Sequence, residues 1–180
     1  MGAGLIVTIL VLFPRVDLLV KNLGHWARLD ALIEPQAPGL AQLEERVAAR
    51  LGAPAHKRSE DEPSPAPRTP SREPSARDVL AVTEQVVEEA IPYAWDWETW
   101  GVADYVPTVR ETLAKGREDC DGRAVVAASL LRRMGYDARL MSDLGHVWVW
   151  TPEGETMRPS ELAGGEVFVL QGEDGSRLNW

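Results

Sequence analysis

The stretch from Ala53 to Arg77, APAHKRSEDEPSPAPRTPSREPSAR, holds no large apolar residue and is crowded with Pro, Ser and charge. It cannot bury enough surface to offset its chain entropy, so it reads as a disordered or polyproline-like linker. This places one constraint on everything else: the chain of 180 residues must build its core from what flanks the linker. His56 lies inside it and reads as a solvated residue.

Before the linker, Gly2 to Phe13 (GAGLIVTILVLF) is an unbroken apolar run. It is short of the roughly 20 residues a spanning helix needs. No Lys or Arg precedes it and no small-x-small cleavage pattern follows, so it is a poor secretory signal. Residues 1–20 are left as an apolar N-terminal segment with three open readings: membrane anchor, buried terminal helix, or a start placed too early. Arg15, Lys21 and Arg28 all follow the run, so a spanning helix would keep the rest of the chain cytoplasmic. Without a span the expected location is also the cytoplasm. Residues 21–52 form a helical hairpin or stalk: Leu23, Trp26, Leu29, Leu32 and Ile33 follow the helical template, PQAPG breaks it, and LAQLEERVAARL resumes it.

After the linker, residues 78–180 are read as the domain proper. Charge separates the two parts. Residues 1–77 carry a net +1, whereas residues 78–180 carry −10. An acidic domain repels a phosphate backbone, which argues against nucleic-acid binding. In DVLAVTEQVVEEAI, Asp78 reads as an N-cap, with an apolar stripe of Val79, Val82, Val86 and Ala90. Trp95, Trp97 and Trp100 crowd the next segment. A short helix from Pro107 ends at Gly116, and a longer one after Cys120 ends at Gly135. Residues 138–143, 146–151 and 166–171 read as strands, with TPEGE (151–155) as a turn between two of them. Helices first and strands afterwards indicate an α+β domain, a central helix packed on a small antiparallel sheet.

Cys120 is the single cysteine. One thiol excludes an internal disulfide and a thiolate-rich zinc site. Its place is unusual for a structural cysteine, since it lies between Asp119 and Asp121 where an acidic loop becomes an apolar helix. A helix start favours thiolate, whereas the adjacent carboxylates oppose it. A base is therefore needed, and the domain's single histidine, His146, begins a strand 26 residues later. A mixed metal set of His146, Asp143 and Glu155 lacks a second histidine, and no metal or cofactor is expected.

The run GREDCDGRAVVAASLLRRMGYDARLMSDLGHVWVW resembles the core of the transglutaminase-like superfamily, a branch of the papain-like thiol enzymes. The matching elements are Asp119-Cys120, Leu130 to Tyr136, Ala138-Arg139 and His146-Val147-Trp148-Val149; DYVPTVRETLAKG is similar to the segment that leads into the family's cysteine. The resemblance covers residues 80–160. It implies a transglutaminase-like core in which Cys120 attacks an amide carbonyl and His146 moves the proton. The backbone N–H of Cys120, with an indole from Trp95, Trp97 or Trp100, would hold the oxyanion. The implied substrate is a protein or peptide amide. Hydrolysis is favoured over cross-linking, because a domain of about 100 residues leaves little room for a second channel.

One element departs from the family. Its third member, an aspartate before Pro-Thr on the next strand, is replaced in GETMRPSE by Arg158 before Pro159. Glu155, or Glu153 in the turn, is the substitute the sequence offers. Losing the orienting acid of a triad can cost about 10⁴ in turnover. A catalytically inactive domain that binds a partner protein through its tryptophans is therefore the alternative reading. Oligomeric state is not legible here.

Overall fold

A computed structural model describes residues 14–52, 73–143, 146–153 and 176–179, with backbone alone for the last segment and for Asp143. The apolar run at 1–13, most of the linker, the strand expected at 166–171, Glu155 and Arg158 lie outside the described residues.

The helices are α1 (Val16–Trp26), α2 (Leu40–Gly52), α3 (Ala76–Ala90), α4 (Asp96–Thr99), α5 (Val109–Lys115) and α6 (Cys120–Arg133), with a 3-10 turn at Leu29–Leu32. The strands are β1 (Arg139–Asp143), β2 (His146–Thr151) and β3 (Ser176–Asn179). They pair antiparallel in the order β1-β2-β3. In the first pair Asp143 faces His146 and Arg139 faces Trp150; in the second, Trp148 faces Asn179. The fold is α+β. The third strand of the described sheet falls at 176–179, a stretch of Ser, Arg, Leu and Asn that carries no alternation to announce it.

Helix α6 is the centre. It is in contact with β2, α3, α5 and α2, so every residue from Asp121 to Leu131 is buried. The expected single apolar face through Ala124, Ala127, Ala128 and Leu131 is thus only part of what it buries. Small residues make this feasible, since Ala and Val let neighbours approach on several sides.

Residues 21–52 were expected as a hairpin or stalk apart from the domain. Instead Leu32, Ile33, Ala37, Leu40, Leu43 and Val47 bury their side chains in the same cluster as Leu80, Val87, Leu130 and Val149. Each of the Leu, Ile and Val side chains contributes about 1.5–3 kcal/mol when buried, so this hairpin is part of the core. Arg133 fastens it from α6, donating to Glu44 at 2.6 Å and to the Pro35 carbonyl at 3.2 Å.

The start of α3 is also corrected. Ser75 is the N-cap, receiving the Asp78 N–H at 3.2 Å, while the Ser75 N–H donates to Asp78 at 2.8 Å. Asp78 is thus the reciprocal third residue of a capping box, not the cap. Among the described residues no helix is long and apolar enough to cross a membrane.

Candidate active site

Three sets of contacts bring distant segments to the N-terminus of α6. The first is a single bridge of backbone. Ala94 donates to the Glu118 carbonyl and Glu118 donates to the Pro92 carbonyl, both at 3.2 Å. It holds Tyr93 and Trp95 beside the residues that enter the helix.

The second comes from α1. Asn22 donates its side-chain amide to the Asp104 carbonyl at 2.9 Å and to the Asp104 carboxylate at 2.8 Å. Its oxygen accepts the Val106 N–H at 2.9 Å. His25 Nδ1–H donates to the Val106 carbonyl at 2.6 Å, and Trp26 Nε1–H donates to Asp104 Oδ2 at 2.9 Å. Residues 104–106 are thereby clamped in place, with the Asp104 carbonyl and both backbone groups of Val106 satisfied. His25 spends its ring on this structural bond.

The third is the packing of β2 on α6. It sets His146, first residue of the strand, and Cys120, first residue of the helix, on one cavity of about 360 Å³. The helix start is capped by Asp119, whose carboxylate receives the Asp121 N–H at 3.4 Å. Gly122 is required one turn in: a Cβ there would lie 2.1 Å from Glu118 Cγ and 2.8 Å from Pro107 Cγ.

The cavity explains the chemistry of the thiol. Burial pushes Cys120 up to about 11; the Val147 backbone amide, aimed at the sulfur, opposes this, and the charge of Asp119 reinforces it. Among the described residues the thiol's hydrogen-bond partner is the Val147 backbone, not the His146 ring. The ring stacks on Trp148, with centroids 6.1 Å apart and planes 18° from parallel, and its Nε2 is buried with no partner among the described residues. Glu153 lies exposed past the end of β2, and its charge acts on Tyr136.

Four buried carboxyls cluster together, Asp96, Glu118, Asp119 and Asp121, with oxygens all within 4.8 Å of one another; the charges of Asp119 and Asp96 act on the thiol. Among the described residues this set is the group that could hold a cation; Glu155 and the Asp143 side chain lie outside them. Burial is the first cause that raises all of them above the ordinary carboxylate range. Asp96 and Asp121 rise further through the charge of Asp119. Hydrogen bonds that hold charge on the cluster include Trp100 Nε1–H to Glu118 at 2.9 Å and the Tyr105 N–H to Asp96 at 2.7 Å. Asp96 Oδ1 and Glu118 Oε1 have no donor among the protein's described groups.

The indole of Trp100 is committed to Glu118, which removes it from the three candidates for an oxyanion donor. Trp95 and Trp97 line the cavity, 48% and 57% exposed, with rings stacked at 4.8 Å and 11°. Several lining residues were not anticipated, Asp96, Asp104 and Trp26 among them. Asp96 carried no signal in an acidic, tryptophan-rich segment, and Trp26 lies on the hairpin that was read as separate.

No family model, no curated protein and no solved structure matches the chain.

Proposed function

We propose that the protein is a thiol-dependent acyl-transfer enzyme of transglutaminase-like type, acting on protein or peptide amides and favouring hydrolysis. The observation that carries this is the convergence of Cys120 and His146 on one cavity from a helix start and a strand start. They are the chain's single thiol and the single histidine of residues 78–180.

A thiol pushed up to about 11 is neutral at rest. The mechanism it supports is general-base attack and not a standing ion pair. His146 accepts the proton as the sulfur–carbon bond forms, then delivers it to the leaving amine as the carbon–nitrogen bond breaks. Water attacks the resulting thioester, the ring again taking the proton, and the acid and free thiol are released. The N–H groups opening α6 offer the developing oxyanion a donor, the Cys120 N–H among them. The third member of the triad is left unassigned: Glu155, expected in that role, is outside the described residues.

The test is turnover of a positional library of tetrapeptide coumarylamides. Coumarin release by wild type, with a loss of at least 100-fold in Cys120→Ala and in His146→Ala, is the expected result. Turnover that survives either change rejects the pair as the catalytic machinery.

Two observations favour a second reading. The raised thiol and the missing sulfur–imidazole hydrogen bond also suit a retired enzyme that binds a partner through Trp95 and Trp97. In that case the library is not turned over, and Trp97→Ala, not Cys120→Ala, removes binding.

A further inference from the structure

We propose that the cavity selects substrates carrying a cationic side chain, lysyl or arginyl, beside the amide that meets Cys120. This rests on the reading of Cys120 as nucleophile and adds the class of substrate to it.

Two independent features of the cavity point to a cation. One wall is aromatic. Tyr93, Trp95 and Trp97 are 47%, 48% and 57% exposed, packed edge-on and face-on at 5.2 and 4.8 Å. Large exposed rings are costly to leave in water, and a stacked pair is a platform for a flat or cationic group. The Arg123 guanidinium covers the Tyr93 ring at 5.8 Å and is paired with Glu88 at 3.4 Å, away from the cavity lining. Trp95 and Trp97 are left facing the opening.

The other side is carboxylic. Asp96, Asp104, Asp119 and Asp121 line the cavity, and among its described lining residues there is no Lys or Arg. Asp104 is held in place through Asn22 and Trp26, at 2.8 and 2.9 Å. Asp96 is 3% exposed, and its Oδ1 lacks a protein donor. An ammonium or guanidinium entering the cavity is a donor of the right charge for that oxygen. An anionic side chain meets the opposite: four carboxyls, with no Lys or Arg among the described lining residues.

The experiment uses the full chain carrying Cys120→Ala, so that binding is read without turnover. Acetylated, amidated tripeptides Ala-X-Ala, with X as Lys, Arg, norleucine or Glu, are titrated against it by calorimetry. Lys and Arg peptides should bind about tenfold or more tighter than norleucine, and the Glu peptide more weakly still. Asp104→Asn keeps the acceptor for Asn22 and Trp26 while removing charge, and Trp97→Ala alters an exposed ring. Either added change should bring Lys to within about threefold of norleucine, with circular dichroism confirming that the fold is kept. Equal binding of Lys and norleucine, or a preference untouched by both changes, overturns the proposal. Displacement of the Lys peptide by calcium chloride alone at micromolar concentration also overturns it, by assigning the carboxyls to a metal. Turnover by wild type without this preference sinks the substrate class alone; the preference without turnover sinks the enzyme reading alone.

Discussion

The indole of Trp100 donates to Oε2 of Glu118 at 2.9 Å, tying the segment that carries the aromatic wall to the residue two before the thiol. Glu118 is completely buried, and this bond opposes the burial that pushes its carboxyl up. Trp100→Phe keeps a benzene ring beneath Lys115, which lies 4.7 Å from the indole, and removes the N–H together with the five-membered half of the indole. We expect a loss of about 2 kcal/mol in urea unfolding, the scale of a buried hydrogen bond to a chargeable group. Glu118 should then titrate higher than in wild type. An unchanged unfolding midpoint would show that the bond contributes nothing to the fold.

Gly122 is the point where helix α6 admits Glu118. Alanine is the better helix former by about 1 kcal/mol, and at an open site it would stabilise. Here its Cβ would meet Glu118 Cγ at 2.1 Å, with Pro107 and Thr112 at 2.8 and 2.9 Å behind it. Overpacking costs typically about 1–3 kcal/mol, so strain wins. Gly122→Ala should lower the urea midpoint by the equivalent of about 1–2 kcal/mol. A gain in stability would contradict the packing described.

Much of this fold was legible from local pattern, and the exceptions share one cause. The extent of α6, its stop at Gly135 and the β1–β2 pair follow from periodicity, capping and alternation over a few residues. The place of Cys120 at a helix start was visible for the same reason. Asn22, Trp26 and Asp96 were not visible as site residues, because their roles depend on partners up to 84 positions away. Nor does polarity reveal that Glu84 and Glu118 are buried. Asp78 shows the limit at short range: Ser75 competes for the same role and wins, since its hydroxyl both reaches the helix and frees Asp78 to answer it.

Glu84 makes the stability of the fold depend on pH. It is 2% exposed on α3, and burial first, then the charge of Glu88, push its carboxyl up to about 9, against the opposing pull of Arg123. A folded pKa above the unfolded one means that the folded state holds the proton more tightly. The stability linked to this group is fully present below about pH 4.5, the ordinary value, and is lost as pH rises towards about 9. The raised carboxyls of the cavity act in the same direction. Urea midpoints should therefore fall from pH 5 to pH 9. Glu84→Gln should flatten the slope by up to about 1.4 kcal/mol per pH unit. A midpoint that rises over this window would contradict the burial of these groups.

The thiol of Cys120 should be sluggish towards a small electrophile. With its pKa pushed up to about 11, little thiolate exists at neutral pH. Alkylation by iodoacetamide at pH 8 should run about tenfold or more slower than that of free cysteine, even after crediting the greater intrinsic reactivity of a more basic thiolate. Asp119→Asn retains a side-chain oxygen for the helix cap and removes a charge that holds the thiol up; it should speed the reaction. Alkylation as fast as that of free cysteine would show a standing thiolate and a different activation.

The account depends on sulfur and imidazole acting together on a carbonyl, and the covalent intermediate reports this most directly. Wild type and His146→Ala are mixed with the tetrapeptide library, quenched in acid within seconds and read by intact mass and peptide mapping. An acyl adduct on Cys120 in wild type, absent from His146→Ala, is what the shared cavity predicts. No adduct in either protein, or the same adduct in both, would contradict it.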